Sequence, residues 1–280
     1  MDMYYFAKDR KPDRIREALL QLIFPMGTYC VICGSLIDSH RRWSVCDNCM
    51  KALNKGNIYI DLAEEAASGN IMSHLDSASS CLVYGLHSKK LVFDLKYNKR
   101  TYLSRPISMI MADRIICDER LRPLVDTVDL VVPVPLHKSR LRKRGFNQSA
   151  LISLDLTARL NALRDGRPIL NVPDCLLRQR LTVSQRSLSG SERNLNLENA
   201  FTINPKRKTL VSNVVILLVD DILTTGSTAD HCAEALKDAG AAEVHFISLA
   251  TGNYHLKGCE RRRDDVSFID RGASSDRMPE

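Results

Sequence analysis

The stretch Val214–Thr228, VVILLVDDILTTGST, decides the fold. Its unbroken apolar run predicts a central strand covered on both faces, because a strand with one wet face would alternate. Two adjacent carboxylates, Asp220 and Asp221, then stand at the end of that strand. A hydroxyl-rich turn follows, made of Thr224, Thr225, Gly226, Ser227 and Thr228. Beyond it, Ala229, Cys232, Ala233, Leu236 and Ala239 share one face of a helix that stops at Gly240. In an open parallel sheet, ligands gather past the carboxyl ends of strands. A turn that feeds a helix N-terminus offers free N–H groups and the positive end of a dipole, which suits an anion. Gly226 lets the backbone approach a phosphate closely, and the hydroxyls add donors. Helix capping alone would account for Ser and Thr, but not for two acids. Carboxylates beside a phosphate cradle suit a ligand that also brings hydroxyls or a divalent cation, such as a sugar phosphate. No Gly-Lys-Ser/Thr follows a spaced glycine, so this is not a P-loop.

Outward from this stretch, strands and helices alternate. SCLVYG reads as a strand, and LSRPISMIMADRIIC as a helix with a proline in its first turn. VDLVVPVP is a strand cut short by prolines, a basic loop and a helix near 148–163 follow it, and AEVHFISLA is another strand. The expected class is α/β, a parallel sheet flanked by helices. Near the N-terminus, RIREALLQLIF has helical spacing and ends at Pro25. Residues 54–76 read as a polar connector.

Cys30-x2-Cys33 and Cys46-x2-Cys49 lie twelve residues apart. Two such knuckles complete a tetrahedral site, and a segment this short needs the metal for folding energy. Structural zinc is the expected ion, with no open position for water. The other cysteines lack such spacing and read as buried thiols. An odd total of nine also speaks against a disulfide framework.

The formal net charge of +7 is concentrated. Residues 131–208 carry fifteen Lys/Arg against five Asp/Glu, which suits phosphate or nucleic acid. Lys138, Arg140 and Arg144 follow the PVP strand, and the planar guanidinium fork can grip two oxygens of a diphosphate. A single-stranded DNA patch could use the same side chains. Binders of single strands interleave aromatics with cations, however, and only Phe146 and Phe201 occur between Val131 and Lys208. His137 reads as an exposed loop histidine. No long uncharged apolar run appears, and MDMYYFAKDRKPDR lacks the apolar centre of a secretory signal. A cytoplasmic chain without membrane insertion is expected.

VVILLVDDILTTGST resembles the phosphoribosyl pyrophosphate motif of type I phosphoribosyltransferases. Together with VVPVPLHKSRLRKRGFNQS, RQRLTVSQRSLSGSERNLNLENAF, the LKYNK element and the four cysteines, it resembles the ComF family of competence-associated proteins over roughly residues 15–250. The resemblance implies that Asp220 and Asp221 contact ribose hydroxyls and that Thr224, Thr225, Gly226, Ser227 and Thr228 hold the 5-phosphate. It implies that Lys138, Arg140 and Arg144 meet pyrophosphate, although the acidic and small residues usual in that loop are absent. Arg178, Gln185, Arg193 and Asn196 would belong to a loop covering the diphosphate. The implied activity is Mg²⁺-dependent phosphoribosyl transfer, a glycosyltransferase reaction, in a protein associated with DNA uptake and the competence machinery. The alternative is a non-catalytic module that senses the diphosphate or binds single-stranded DNA. The expected organisation is an N-terminal helix over 1–27, a zinc module over 28–56, a phosphoribosyltransferase-like domain over 77–250 and a tail over 251–280.

Overall fold

A computed structural model describes residues 28–38, 41, 43–53, 58–60, 62, 72–179 and 200–252. The helix expected near the N-terminus, most of the connector, the loop carrying Gln185, Arg193 and Asn196, and the tail from 253 lie outside the described residues.

In chain order the elements are α1 (Asp47–Leu53), β1 (Ile58–Ile60), β2 (Ser77–Val83), α2 (Leu86–Tyr97), α3 (Ser104–Cys117) and β3 (Leu130–Pro133). Then come α4 (Lys138–Arg144), α5 (Gln148–Asn161), β4 (Leu170–Asn171), β5 (Leu176–Arg178), β6 (Phe201–Ile203), β7 (Val215–Leu223), α6 (Ser227–Asp238) and β8 (Glu243–Thr251). The main sheet runs β1-β2-β8-β7-β3-β4. Five strands are parallel, and β1 joins the edge antiparallel to β2. β5 and β6 form a separate antiparallel pair.

The apolar run of β7 forms a central strand because helices cover both faces. Leu217 and Val219 pack in one layer with Ile107, Ile110 and Met111 of α3 and Ile152 and Leu156 of α5. Ile216 and Leu218 pack in the other with Phe246 and with Cys232, Ala233 and Leu236 of α6. β7 does not stop at the acids. It continues through both to Leu223, because β8 stays in register alongside, Asp220 opposite Ser248 and Leu223 opposite Thr251. β8 therefore includes Thr251, where the tail was expected to begin. Pro133 is tolerated at the end of β3 because β4 pairs only with Leu130 and Val131, leaving no neighbour there for its missing donor.

The cysteine segment borrows its core. Cys30, Ile32, Trp43, Val45, Cys49 and Leu53 are buried in the same apolar cluster as Leu91, Val92 and Leu95 of α2 and the inner face of α3. The Trp43 indole donates from Nε1 to Asp113 Oδ2 of α3 at 2.7 Å.

Candidate functional site

Alternation along β7 sends Asp220 and Asp221 to opposite faces of the sheet. Asp221 is 2% exposed. The Lys96 ammonium, from the last turn of α2, stands 2.7 Å from its Oδ2, off the line of a hydrogen bond, so the contact is an ion pair. Asp220 is half-buried, and its Oδ1 accepts the Ser149 hydroxyl at 2.7 Å and the Asp221 N–H at 2.8 Å. Ser149 sits in the first turn of α5, which Asn147 caps by accepting the Ser149 N–H at 3.1 Å. Burial, and then the charge of Asp221, push the Asp220 carboxyl up to about 7; Lys96 and the two hydrogen bonds only partly offset this. One acid is thus buried against a lysine, while its neighbour can exchange a proton near neutrality.

The hydroxyl turn leaves β7 and enters α6. Gly226 is left-handed, with φ of 78°, and buried. A methyl group there would fall 2.2 Å from Met72 Sδ, so the position needs glycine for backbone angle and for room. The Thr225 and Ser227 hydroxyls lie 3.1 Å apart, and Thr224 is exposed. Asp230, in the first turn of α6, accepts the His74 N–H at 2.8 Å and meets the His74 ring at Nδ1, 2.9 Å away. Residues 72–76 are thereby strapped across the start of α6.

The basic residues divide. Arg178 lies buried in β5 rather than on a loop, with its guanidinium 5.1 Å from the centre of the Phe201 ring. Burial lowers its pKa and nearby Arg140 adds to this, while Cys232 and Asp220 oppose it. Arg140 and Arg178 thus come from separate elements, within electrostatic reach of each other and, for Arg178, of Asp220. Arg144 turns elsewhere, lying 5.6 Å from the centre of the Tyr97 ring and donating to Gln148 Oε1. Lys138 is exposed in the first turn of α4, where His137 caps the helix by accepting the Ser139 N–H at 3.2 Å. Sequence reasoning missed Lys96 as the partner of Asp221, Ser149 as a donor to Asp220, and the strap from Met72 and His74. LKYNK did flag the lysine, but nothing local links it to an acid 125 positions away.

In the cysteine segment, the sulfurs of Cys30, Cys33, Cys46 and Cys49 all lie within 4.8 Å of one another. Zinc–sulfur bonds of ~2.3 Å in a tetrahedron set sulfurs ~3.8 Å apart, and Cys33 and Cys46 are 3.6 Å apart. The four can hold a metal such as zinc. The Ser35 hydroxyl, 3.0 Å from Cys33, is the main cause that lowers this thiol to about 6, favouring the thiolate a metal needs.

A parallel sheet with an acid pair toward its carboxyl edge, a glycine turn into a helix and two arginines within electrostatic reach of each other defines a class of protein. Residues 170–272 match the phosphoribosyl transferase domain family, and the chain contains such a domain. It is 27% identical to competence protein F of Haemophilus influenzae over 222 residues, covering 79% of this chain and 84% of that protein. It is 33% identical to the DNA utilization protein YhgH of Salmonella typhimurium and 32% identical to that of Escherichia coli over 159 residues. Those two matches cover 57% of this chain and 65% of the relative. The chain is a homologue of competence protein F and of YhgH.

Proposed function

We propose that the protein binds phosphoribosyl pyrophosphate with Mg²⁺ at the carboxyl edge of β3 and β7 and transfers the phosphoribosyl group. The observation that carries this reading is the unequal acid pair. Asp221 is buried against Lys96, and Asp220, before the glycine turn, is the more open of the two and meets a ribose hydroxyl. The turn from Thr224 to Thr228 takes the 5-phosphate through its hydroxyls and the first N–H groups of α6. Arg140 and Arg178 take the diphosphate, and Arg178 brings a side chain already fixed by burial and by the Phe201 ring, so little freedom is lost on binding. Lys138 is an outer contact, Arg144 lies against Tyr97 instead, and Arg193 is outside the described residues. As the bond from the ribose carbon to the diphosphate oxygen breaks, the guanidinium groups hold the growing negative charge of the leaving pyrophosphate while a nucleophilic acceptor takes the carbon. Mg²⁺, when bound with the substrate, neutralises that same leaving group.

The names of the homologues, competence protein F and DNA utilization protein, support a role in competence or DNA use. The four cysteines hold structural zinc, the module over 28–56 serving the domain over 77–250. Among the described residues, no helix is long and apolar enough to cross a membrane. That is compatible with a cytoplasmic protein.

Calorimetry with phosphoribosyl pyrophosphate and Mg²⁺ tests the site. Binding by the wild type and its loss in Asp220→Asn are expected, and equal binding by both would refute the proposal. Release of pyrophosphate with candidate acceptors distinguishes transfer from binding.

A further inference from the structure

The structure brings to the basic helix α4 the aromatic side chains that the basic segment lacks in sequence. On α2, Leu86, Lys90, Phe93 and Tyr97 fall at i, i+4, i+7 and i+11 and share one face. The opposite face, with Leu91, Val92 and Leu95, fills the core, so this outer stripe is not needed for packing. Phe93 is 49% and Tyr97 58% exposed, their rings 4.9 Å apart and inclined at 42°. An i, i+4 ring pair reinforces a helix slightly, which does not explain why its cover is cationic. Arg144 of α4 lies over the Tyr97 ring and joins the two helices into one surface. Lys89 and Lys90 flank the rings on α2, and Arg142 and Lys143 are exposed on α4. No carboxylate among the described residues forms an ion pair with these four cations. Solvent-facing rings bordered by unneutralised cations match the two halves of a single-stranded nucleic acid, the faces of unpaired bases and the phosphates between them. A duplex hides its base faces, and an acidic peptide would leave the rings unused.

We propose that the joint outer face of α2 and α4 binds single-stranded nucleic acid by stacking bases on Phe93 and Tyr97, with phosphates on Lys89, Lys90, Arg142 and Lys143. This surface does not depend on the phosphoribosyl reading of the pocket. The test is fluorescence anisotropy of a labelled oligothymidylate with the full-length chain across a salt series. Stacking predicts about fivefold weaker binding for Phe93→Ala or Tyr97→Ala, and about thirtyfold for the pair, with the salt slope unchanged. Arg142→Glu/Lys143→Glu should instead flatten the slope by about 1.4. Tyr97→Trp should retain affinity, and its added indole emission should be quenched by the oligonucleotide, which a folding defect could not mimic. Asp220→Asn should bind the strand as the wild type does, so loss of the pocket and loss of this surface are read separately. Equal affinity in the double ring variant, heparin or duplex binding as tightly as the single strand, or emission from the Tyr97→Trp protein that the oligonucleotide leaves unquenched would overturn the proposal.

Discussion

Replacing Asp220 by Asn should stabilise the protein while it abolishes ligand binding, and the gain should depend on pH in one direction. The amide is nearly isosteric, and its Oδ1 can keep the bonds from Ser149 and the Asp221 N–H. What disappears is the cost of ionising a half-buried carboxyl next to Asp221. That cost has moved its pKa from 3.8 to about 7, which at ~1.4 kcal/mol per pH unit sets a ceiling of about 4 kcal/mol. Water reaching a half-buried group screens part of this, so about 2 kcal/mol is the expected gain. A folded pKa raised above the unfolded value means that the native state holds its proton longer. Wild-type stability contributed by this group therefore falls as pH rises from about 4 to about 7, then levels. Thermal denaturation of both proteins between pH 5 and 8.5 checks this. The gap should widen up to pH 7 and reach about 4–8 °C above it. A gap independent of pH, or an Asn variant less stable than wild type at pH 8, would refute the account of the acid pair.

Lys96→Met leaves Asp221 buried without its counter-charge and should cost about 3–5 kcal/mol in urea denaturation at pH 7; adding Asp221→Asn should return most of it, as a double-mutant cycle will read. Gly226→Ala must hold a left-handed backbone and displace Met72, a loss of about 2–4 kcal/mol from the two causes; Met72→Ala in the same chain should make the glycine substitution cheaper. Chelation of a metal held by the four cysteines should loosen the segment around Trp43, the chain's one tryptophan, and shift its emission to the red; an unmoved spectrum after verified metal loss would show that the borrowed core alone holds the segment.

The features legible in sequence were those set by local pattern. The apolar run of β7, the helical spacing of Ala229 to Leu236, the proline in the first turn of α3 and the paired CxxC knuckles each state their structure within a few residues. The strand's continuation through Asp220 and Asp221 was not legible, because carboxylates disfavour strands and only the registered neighbour β8 overrides that preference. The resemblance assigns Arg178 to a loop covering the diphosphate. Burial of Arg178 against Phe201 is a product of the fold. The Lys96–Asp221 pair and the meeting of Tyr97 with Arg144 are contacts across 125 and 47 positions, where charge and aromaticity give no address.

The apolar cluster that runs unbroken from Trp43 and Leu53 into α2 and α3 makes the sulfur cluster an inseparable part of this molecule. A bead of zinc-binding sequence with its own interior could be cut away and spliced onto another gene. This one would arrive elsewhere without half of its lining, and would leave α2, the helix that carries Lys96 and the two rings, with oily surface open to solvent. Heredity must therefore pass the two halves on together.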